Sequence, residues 1–181
     1  MSGANISLSP LKAARREKII DAAERMFLSY GFRGTTVEGI AEAAGISKVT
    51  LYAYFHAKDA AFEAVAARFF ETLRTAAMAA LGGPGRRSAR VAAALIAKHG
   101  ILFDTVRASP HAAELLAARA KVAARLDALG TGLIVTLGAV LNDAQAGRIL
   151  YNATVGISDA AATRNDMAAD ITRLVAAMVP D

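Results

Sequence analysis

The segment 45–58 constrains this chain more than any other. It reads Gly-Ile-Ser-Lys-Val-Thr-Leu-Tyr-Ala-Tyr-Phe-His-Ala-Lys. Gly45 predicts a tight turn, and Ser47 is a suitable N-cap, so a short helix is expected to begin directly after Ser47. Its inward residues are Leu51 and Phe55, which lie one helical turn apart. Neighbouring helices must hold such a helix, and its small, polar and aromatic outer face suits the major groove of DNA.

The sequence in front of this segment predicts the two helices that hold it. Apolar residues recur at three- and four-residue intervals up to Gly31, which is placed to end the first helix in a left-handed conformation. Thr35 and Glu38 match a capping box at the start of the second helix. The three helices together define a small domain, 16–60, after a flexible tail, 1–15.

Composition and spacing predict helices in the rest of the chain as well. Alanine, which has the highest helix propensity, makes up about a quarter of the residues, and period-two alternation is scarce. A long fourth helix is expected over 58–81, and the run Gly-Gly-Pro-Gly at 82–85 marks the clearest break. The range 61–85 is therefore interpreted as a connecting helix with its linker, and 86–181 as a helical body. Helices in that body are predicted at 87–107, 111–129, 133–146, 149–163 and 166–179, with breaks at Gly130–Gly132 and at Gly147.

Charge and missing motifs restrict the function. The net charge is +5; residues 61–130 carry ten basic and five acidic side chains, whereas 131–181 carry three and five. A polyanion is therefore attracted to the first two thirds of the chain. There is no cysteine, no signal-peptide pattern and no apolar run long enough for a bilayer, which predicts a cytoplasmic protein without membrane contact. Motifs for a nucleophile, a phosphate loop or a zinc protease are missing, so an enzyme is not expected.

Three motifs, in order, resemble the TetR family of bacterial transcriptional regulators. They are Ile-Ile-x-Ala-Ala-x-x-x-Phe-x-x-x-Gly at 19–31, Thr-Thr-x-x-x-Ile-Ala-x-x-Ala-Gly at 35–45 and Ser-Lys-x-Thr-Leu-Tyr-x-Tyr-Phe-x-x-Lys at 47–58. The resemblance implies an all-α protein, in which an N-terminal three-helix domain with a helix-turn-helix is joined by a long fourth helix to a helical ligand-binding and dimerisation domain. One departure is Ala57, where the family usually has a capping residue; such a loss costs about 1 kcal/mol.

The resemblance also implies that the third helix reads double-stranded operator DNA in the major groove. Lys48 and Thr50 are then placed to donate to base edges, and Val49 to pack on a thymine methyl group. The implied DNA-binding residues are Thr36, Ser47, Lys48, Val49, Thr50, Tyr52, Tyr54, His56 and Lys58, with Thr36 and Lys58 as phosphate contacts. For the two tyrosines the alternative is packing against neighbouring helices, and for His56 it is an exposed loop position.

The helical body is expected to form a homodimer and to bind an unknown small-molecule effector. The dimer interface is predicted on the last two helices, at Val155, Ile157, Ala160, Ala161, Ile171, Leu174, Val175 and Met178. Candidates for the effector pocket are Leu95, Ile96, His99, Leu102, Phe103, Val106, Leu116, Leu137 and Tyr151. Ordinary core packing is the alternative for each of these pocket residues. The function predicted is a ligand-responsive repressor whose effector changes the half-site spacing.

No cofactor and no metal are predicted. As metal ligands one could consider His99, Asp104, His111 and Glu114, but only His111 and Glu114 have a binding spacing. A solvent-facing or satisfied polar role accounts for both histidines. Two other functional classes stay open. One is a constitutive DNA-binding dimer without an effector, and the other is a helical enzyme that carries a helix-turn-helix.

Overall fold

The computed structural model describes residues 10–112 and 119–180, and the side chains of 10–112 and 127–180. These residues form helices and turns and contain no β-strand, which confirms the all-α prediction. The helices are α1 Pro10–Gly34, α2 Val37–Ala44, α3 Lys48–Tyr52, α4 Lys58–Leu81, α5 Arg87–Ala108, α6 Arg119–Leu141, α7 Ala144–Ala160 and α8 Arg164–Met178. The described residues divide into two compact units: 10–66 with 110–112, and 67–109 with 119–180. Helix α4 is continuous across this division.

Helix α1 ends at Gly34, three residues beyond the stop predicted at Gly31, and the N-cap of α2 lies one residue later than predicted. Gly31 has a φ of 69°, which interrupts the helical backbone as expected, but one further turn continues to Gly34. Thr35 is buried, and its hydroxyl donates to the carbonyl of Gly31 at 2.7 Å. The N-cap of α2 is Thr36, whose Oγ1 accepts from the amide of Gly39 at 3.0 Å. The capping box predicted from Thr35 is therefore wrong, because the path after Gly31 turns that side chain back to α1.

The turn between α2 and α3 is fixed from both sides. Gly45 has the left-handed φ of 65° and ψ of 40°. Its amide donates to Glu42 O at 2.9 Å, and the next amide, of Ile46, donates to Ala41 O at 3.0 Å. This is a Schellman end, which satisfies the last carbonyls of α2. Ser47 then caps α3, since its Oγ accepts from the amide of Thr50 at 3.1 Å. Both end signals predicted from the sequence are confirmed.

Apolar side chains of α1 to α4 pack into the core of the first unit. Phe27, Phe32 and Phe62 form a triad with ring centroids 5.2–5.8 Å apart. Ile19, Ile20, Ile40, Leu51 and Phe55 are buried around it. Edge-to-face ring pairs of this kind add to the hydrophobic gain of burial.

Two helix breaks predicted in the second unit, at Gly130–Gly132 and at Gly147, are wrong, whereas the break predicted at 82–85 is confirmed. Gly130 and Gly132 lie inside α6, and Gly147 lies inside α7. A Cβ on Gly147 would stand 2.5 Å from the amide nitrogen of Gly138, so this glycine lets α6 and α7 meet backbone to backbone. The chain turns instead at Asn142, which has a φ of 54°, and Asp143, whose carboxylate caps α7. A helical glycine costs only about 1 kcal/mol, which close helix packing outweighs.

Helix α8 packs against α5 and α7, and polar contacts link it to α5 at both ends. Arg164 forms an ion pair with Asp104, and Arg107 donates to the carbonyl of Ala162 at 2.8 Å. At the other end Arg87 donates to the carbonyl of Pro180 at 2.8 Å. Over the described part of the chain, no helix combines the length and apolarity that a membrane crossing requires.

Candidate nucleic-acid interface

Helix α3 has one buried and one exposed side. Leu51 and Phe55 are buried in the first unit, as the sequence predicts. Val49 on the opposite side is 81% exposed, and Tyr52 is 44% exposed. Lys48 is exposed as well. The side of α3 that carries the predicted base contacts is therefore available to a partner from solution.

Lys48 has a partner that the sequence analysis missed. Its ammonium forms an ion pair with Glu38 of α2 and lies 5.8 Å from the ring centroid of Tyr52. The hydrogen bond between the two side chains raises the pKa of Lys48 and lowers that of Glu38, so both stay charged at neutral pH. Helix periodicity cannot reveal this pair, because Glu38 and Lys48 lie on different helices. Any anion that binds Lys48 competes with Glu38.

The hydroxyl groups of the predicted site cap helices. Thr36 Oγ1 and Ser47 Oγ accept from backbone amides of α2 and α3, and Ser47 Oγ lies 2.8 Å from Thr50 Oγ1. Thr36 and Ser47 are nevertheless exposed, and each capping hydroxyl keeps a proton that it can donate. Of the remaining predicted contacts, His56 is exposed, whereas Thr50 and Tyr54 are half-buried.

Lys58 is half-buried and has a structural role in the first unit. Its ammonium donates to the carbonyls of Phe32 at 2.7 Å and of Thr35 at 2.8 Å, and it lies 4.5 Å from the ring centroid of Phe32. These bonds attach the first turn of α4 to the last turn of α1, at Phe32, and to Thr35 just after it. Two of the three ammonium donors are thus engaged, and one is left for a phosphate. Helix α4 begins at Lys58 although Ala57 provides no side-chain cap.

The predicted pocket residues lie in the second unit, except Leu116, which is outside the described residues. Leu95, His99 and Leu137 are buried, and Ile96, Leu102, Phe103, Val106 and Tyr151 are half-buried. Two of them occur in one polar cluster: His99 Nε2 lies 3.1 Å from Thr154 Oγ1, whose hydroxyl donates to the carbonyl of Tyr151 at 2.9 Å. Lys98, beside His99, completes this cluster. The sequence analysis missed it because a lysine in a helix is usually exposed.

The eight predicted dimer residues differ in how accessible they are. Ile171 and Val175 of α8 are buried within the single chain, so they can stabilise the helices of the interface but do not contact a second copy. Ala160 is exposed, and Val155, Ile157, Ala161, Leu174 and Met178 are half-buried. The accessible part of the predicted interface therefore lies on α7 and at Leu174 and Met178, which border the buried residues on the same face of α8.

Acidic and histidine side chains do not come together as a metal site in the parts of the chain whose side chains are described. His99 is 1% exposed, and its Nε2 is hydrogen-bonded to Thr154 Oγ1. His111 is half-buried, and Glu114 lies outside the described residues.

Known proteins resemble both the N-terminal segment and the fold. The "HTH-type transcriptional repressor Rv1474c" of Mycobacterium tuberculosis is 35% identical over 114 residues, which are 63% of this chain and 52% of that protein. The "HTH-type transcriptional regulator RutR" of Escherichia coli K12 is 45% identical over 53 residues, 29% of this chain and 25% of that one. The chain thus spans about half the length of the first of these curated relatives and a quarter of the second. A TetR-like transcriptional regulator from Rhodococcus sp. RHA1 superposes with a TM-score of 0.68 at 26% identity, over 90% of this chain and 94% of that one.

Two capped helices at a tight turn, the second of them exposed along its outer side, define a helix-turn-helix protein. Residues 19–65, which contain both helices, match the family model for "Bacterial regulatory proteins, tetR family". The segment 19–65 thus belongs to the TetR family of bacterial transcriptional regulators, and the fold resembles that of a TetR-like regulator.

Proposed function

We propose that this protein is a ligand-responsive repressor that binds operator DNA as a homodimer. The observation that carries this proposal is the orientation of α3, which is anchored by Leu51 and Phe55 and exposes Lys48, Val49 and Tyr52. Five residues of helix supply almost no stability of their own, so this segment is maintained by the unit around it. Relatives with the name of repressor, such as Rv1474c, support repression over activation.

On DNA, the exposed side of α3 faces base edges, and the flanking helix starts face phosphates. Lys48 exchanges Glu38 for a guanine edge, and Val49 packs against a thymine methyl group. Thr36, Ser47 and the free donor of Lys58 bind phosphate oxygens, which sets the position of α3 in the groove. Tyr52 and Tyr54 extend toward the backbone of the duplex. Sequence is therefore read by Lys48, Val49 and Thr50, and affinity comes from the phosphate contacts.

A second copy of the chain reads the second half-site. Dimeric helix-turn-helix proteins read half-sites that lie about 34–36 Å apart, one turn of DNA. The exposed and half-buried residues of α7 and α8 are the surface proposed for pairing. Leu174→Asp places a charge there and should shift the protein to monomers in sedimentation velocity. Ala176→Asp, at an exposed position of the same helix, is the control, and a dimer that survives Leu174→Asp contradicts this interface.

The second unit responds to the effector. An effector changes DNA binding only by the difference between its affinities for the two conformations. Helix α4, which is continuous from the first unit into the second, is the element through which this difference reaches α3.

The proposal is tested by sequencing the genomic fragments that the purified protein retains. We expect a palindromic site with half-sites one turn apart, and the genes beside it indicate the class of effector. Retention of no fragment above a Leu51→Asp control, in which α3 loses its anchor, contradicts the proposal. If no small molecule from the pathway of the neighbouring genes releases the fragments, a constitutive DNA-binding dimer is favoured.

A further inference from the structure

The second unit buries a positive charge without a matching negative one. Lys98 is 5% exposed, and its ammonium lies 3.5 Å from both ring nitrogens of His99 and 4.9 Å from the ring centroid of Tyr151. Among the residues that the structure describes, no carboxylate lies within ion-pair distance of it. Asp159, which is exposed, acts on Lys98 only over a longer distance. Buried ammonium groups are usually paired, so this environment is unusual.

Hydrogen-bond directions fix the protons in this cluster. Thr154 has one hydroxyl proton and donates it to the carbonyl of Tyr151, so its oxygen accepts from His99 Nε2. His99 is therefore the neutral Nε2–H tautomer, and Nδ1 is the ring nitrogen that can accept from Lys98. Burial, and secondarily the charge of Lys98, lowers the pKa of His99 to about 3, which agrees with a neutral ring. The acceptors of the cluster are thus either already hydrogen-bonded or neutral. The Lys98 ammonium therefore still has N–H donors for a charged partner.

The ring of Tyr151 is held in place by α6. A Cβ on Gly130 would stand 3.0 Å from the Tyr151 hydroxyl, so the helix leaves room for that oxygen at this position. Asp127, one turn earlier on α6, is the nearby charged group that acts on Tyr151. The half-buried tyrosine thereby places an aromatic face beside the Lys98 ammonium and a hydroxyl at its far end.

We propose that the effector is an organic carboxylate, and that the Lys98 ammonium is its counter-ion in the second unit. This inference rests on the proposed ligand response and names the chemical class of the ligand. A single ammonium matches one negative charge, whereas a phosphate dianion calls for further cations, and none joins Lys98 among the described side chains of the cluster. The remainder of the ligand is taken to be apolar, because Leu95 is buried on α5 about one turn before Lys98 and His99.

The experiment compares acids with alcohols. Acetate, butyrate, octanoate, decanoate and benzoate are tested beside their matched primary alcohols, in potassium chloride of the same ionic strength, by thermal unfolding and titration calorimetry of the full chain. Lys98→Met keeps the unbranched stem and removes the charge. Arg148→Met removes an exposed charge from α7 and is the matched control. At least one carboxylate should raise the Tm of wild type and of Arg148→Met and bind about tenfold or more tightly than its alcohol, and Lys98→Met should lose this difference.

Proton uptake gives a test that does not require the variant to fold. Burial lowers the pKa of Lys98 to about 8, so about half of the protein carries the uncharged amine at pH 8. A bound carboxylate restores the charged form, and binding at pH 8 should take up about half a proton, seen as a dependence of the binding enthalpy on the buffer. Equal stabilisation by acids and alcohols, an effect that persists in Lys98→Met, binding without proton uptake, or no Tm increase with any carboxylate overturns the inference. Failure of the proposed function itself is seen separately, because then no genomic fragment is retained.

Discussion

The two units of the molecule differ in whether the charged groups described above are exposed or buried. In the first unit Lys48 and Glu38 are exposed and Lys58 is half-buried, and Thr35 is the one buried polar residue among the described residues of that unit. In the second unit Lys98, His99 and Thr154 lie inside. An outer charge meets a polyanion at little desolvation cost and with strong dependence on salt. A buried charge discriminates between ligands, because a ligand that lacks the opposite charge leaves the buried group unpaired.

This comparison predicts that the two sides of α3 have separable roles, and a core substitution should have the largest effect. Leu51→Ala removes a buried side chain and should lower the free energy of unfolding by about 2–5 kcal/mol. Val49→Ala, two residues away on the exposed side, should change stability by less than about 0.5 kcal/mol and weaken specific DNA binding. Urea unfolding and DNA titration of both variants measure the contrast. Similar stability losses in the two variants would contradict the orientation of α3.

The inner site should make stability depend on pH in acid. In the unfolded chain His99 binds a proton once the pH falls below its ordinary pKa of 6.5. In the folded chain the pKa of His99 is about 3, so protonation requires a much lower pH. The unfolded state therefore binds more protons between these values, and the free energy of unfolding falls as the pH falls, by up to about 1.4 kcal/mol per pH unit. Urea unfolding between these pH values should show this slope in wild type and in Thr154→Val, which keeps the histidine buried. His99→Asn should flatten it, and an unchanged slope in that variant shows that other groups cause it.

The helix contact of the second unit gives a smaller effect. Gly147→Ala places a methyl group against the backbone of Gly138 and should cost about 1–3 kcal/mol through overpacking. Gly132→Ala, inside α6 with open space around it, should stabilise the protein by up to about 1 kcal/mol. Thermal unfolding of the two variants compares them directly. If Gly132→Ala destabilised the protein, the uninterrupted course of α6 would be in doubt.

The smallest changes concern the outer charges and leave the fold intact. Lys48→Ala should weaken specific DNA binding by roughly tenfold to a hundredfold and relax one base preference. Glu38→Gln removes a negative charge from the DNA side and should strengthen binding by less than about tenfold, with the selected sequence unchanged. Fluorescence titrations at two salt concentrations separate the two effects. Unchanged affinity and preference in Lys48→Ala contradicts the placement of α3 in the groove.

Local signals explain why the helix-turn-helix could be predicted from the sequence. Gly45, Ser47 and the pair Leu51 and Phe55 act over a few residues, and each has the predicted role in the structure. The capping threonine was misplaced by one residue because Thr35 and Thr36 are chemically alike, and the chain path after Gly31 decides between them. The DNA contacts themselves remain predictions.

The second unit was less predictable because its decisive contacts join distant parts of the chain. Gly147 resembles a helix end in the sequence, and only its contact with Gly138 shows why a helix contains it. Lys98 has no local feature that distinguishes it from an exposed lysine. Its burial accompanies the packing of α5 against α7, which brings Tyr151 to Lys98 and Thr154 to His99.

The position of Lys58 has a mechanical consequence. Its two hydrogen bonds join the beginning of α4 to the last turn of α1, at Phe32, and to the loop that leads from α1 to α2, at Thr35. A tilt of the first turn of α4 cannot leave that loop behind unless both bonds break. We therefore expect the first turn of α4 and the support of α3 to move together, and a side chain too short to reach Phe32 and Thr35 to let them move apart.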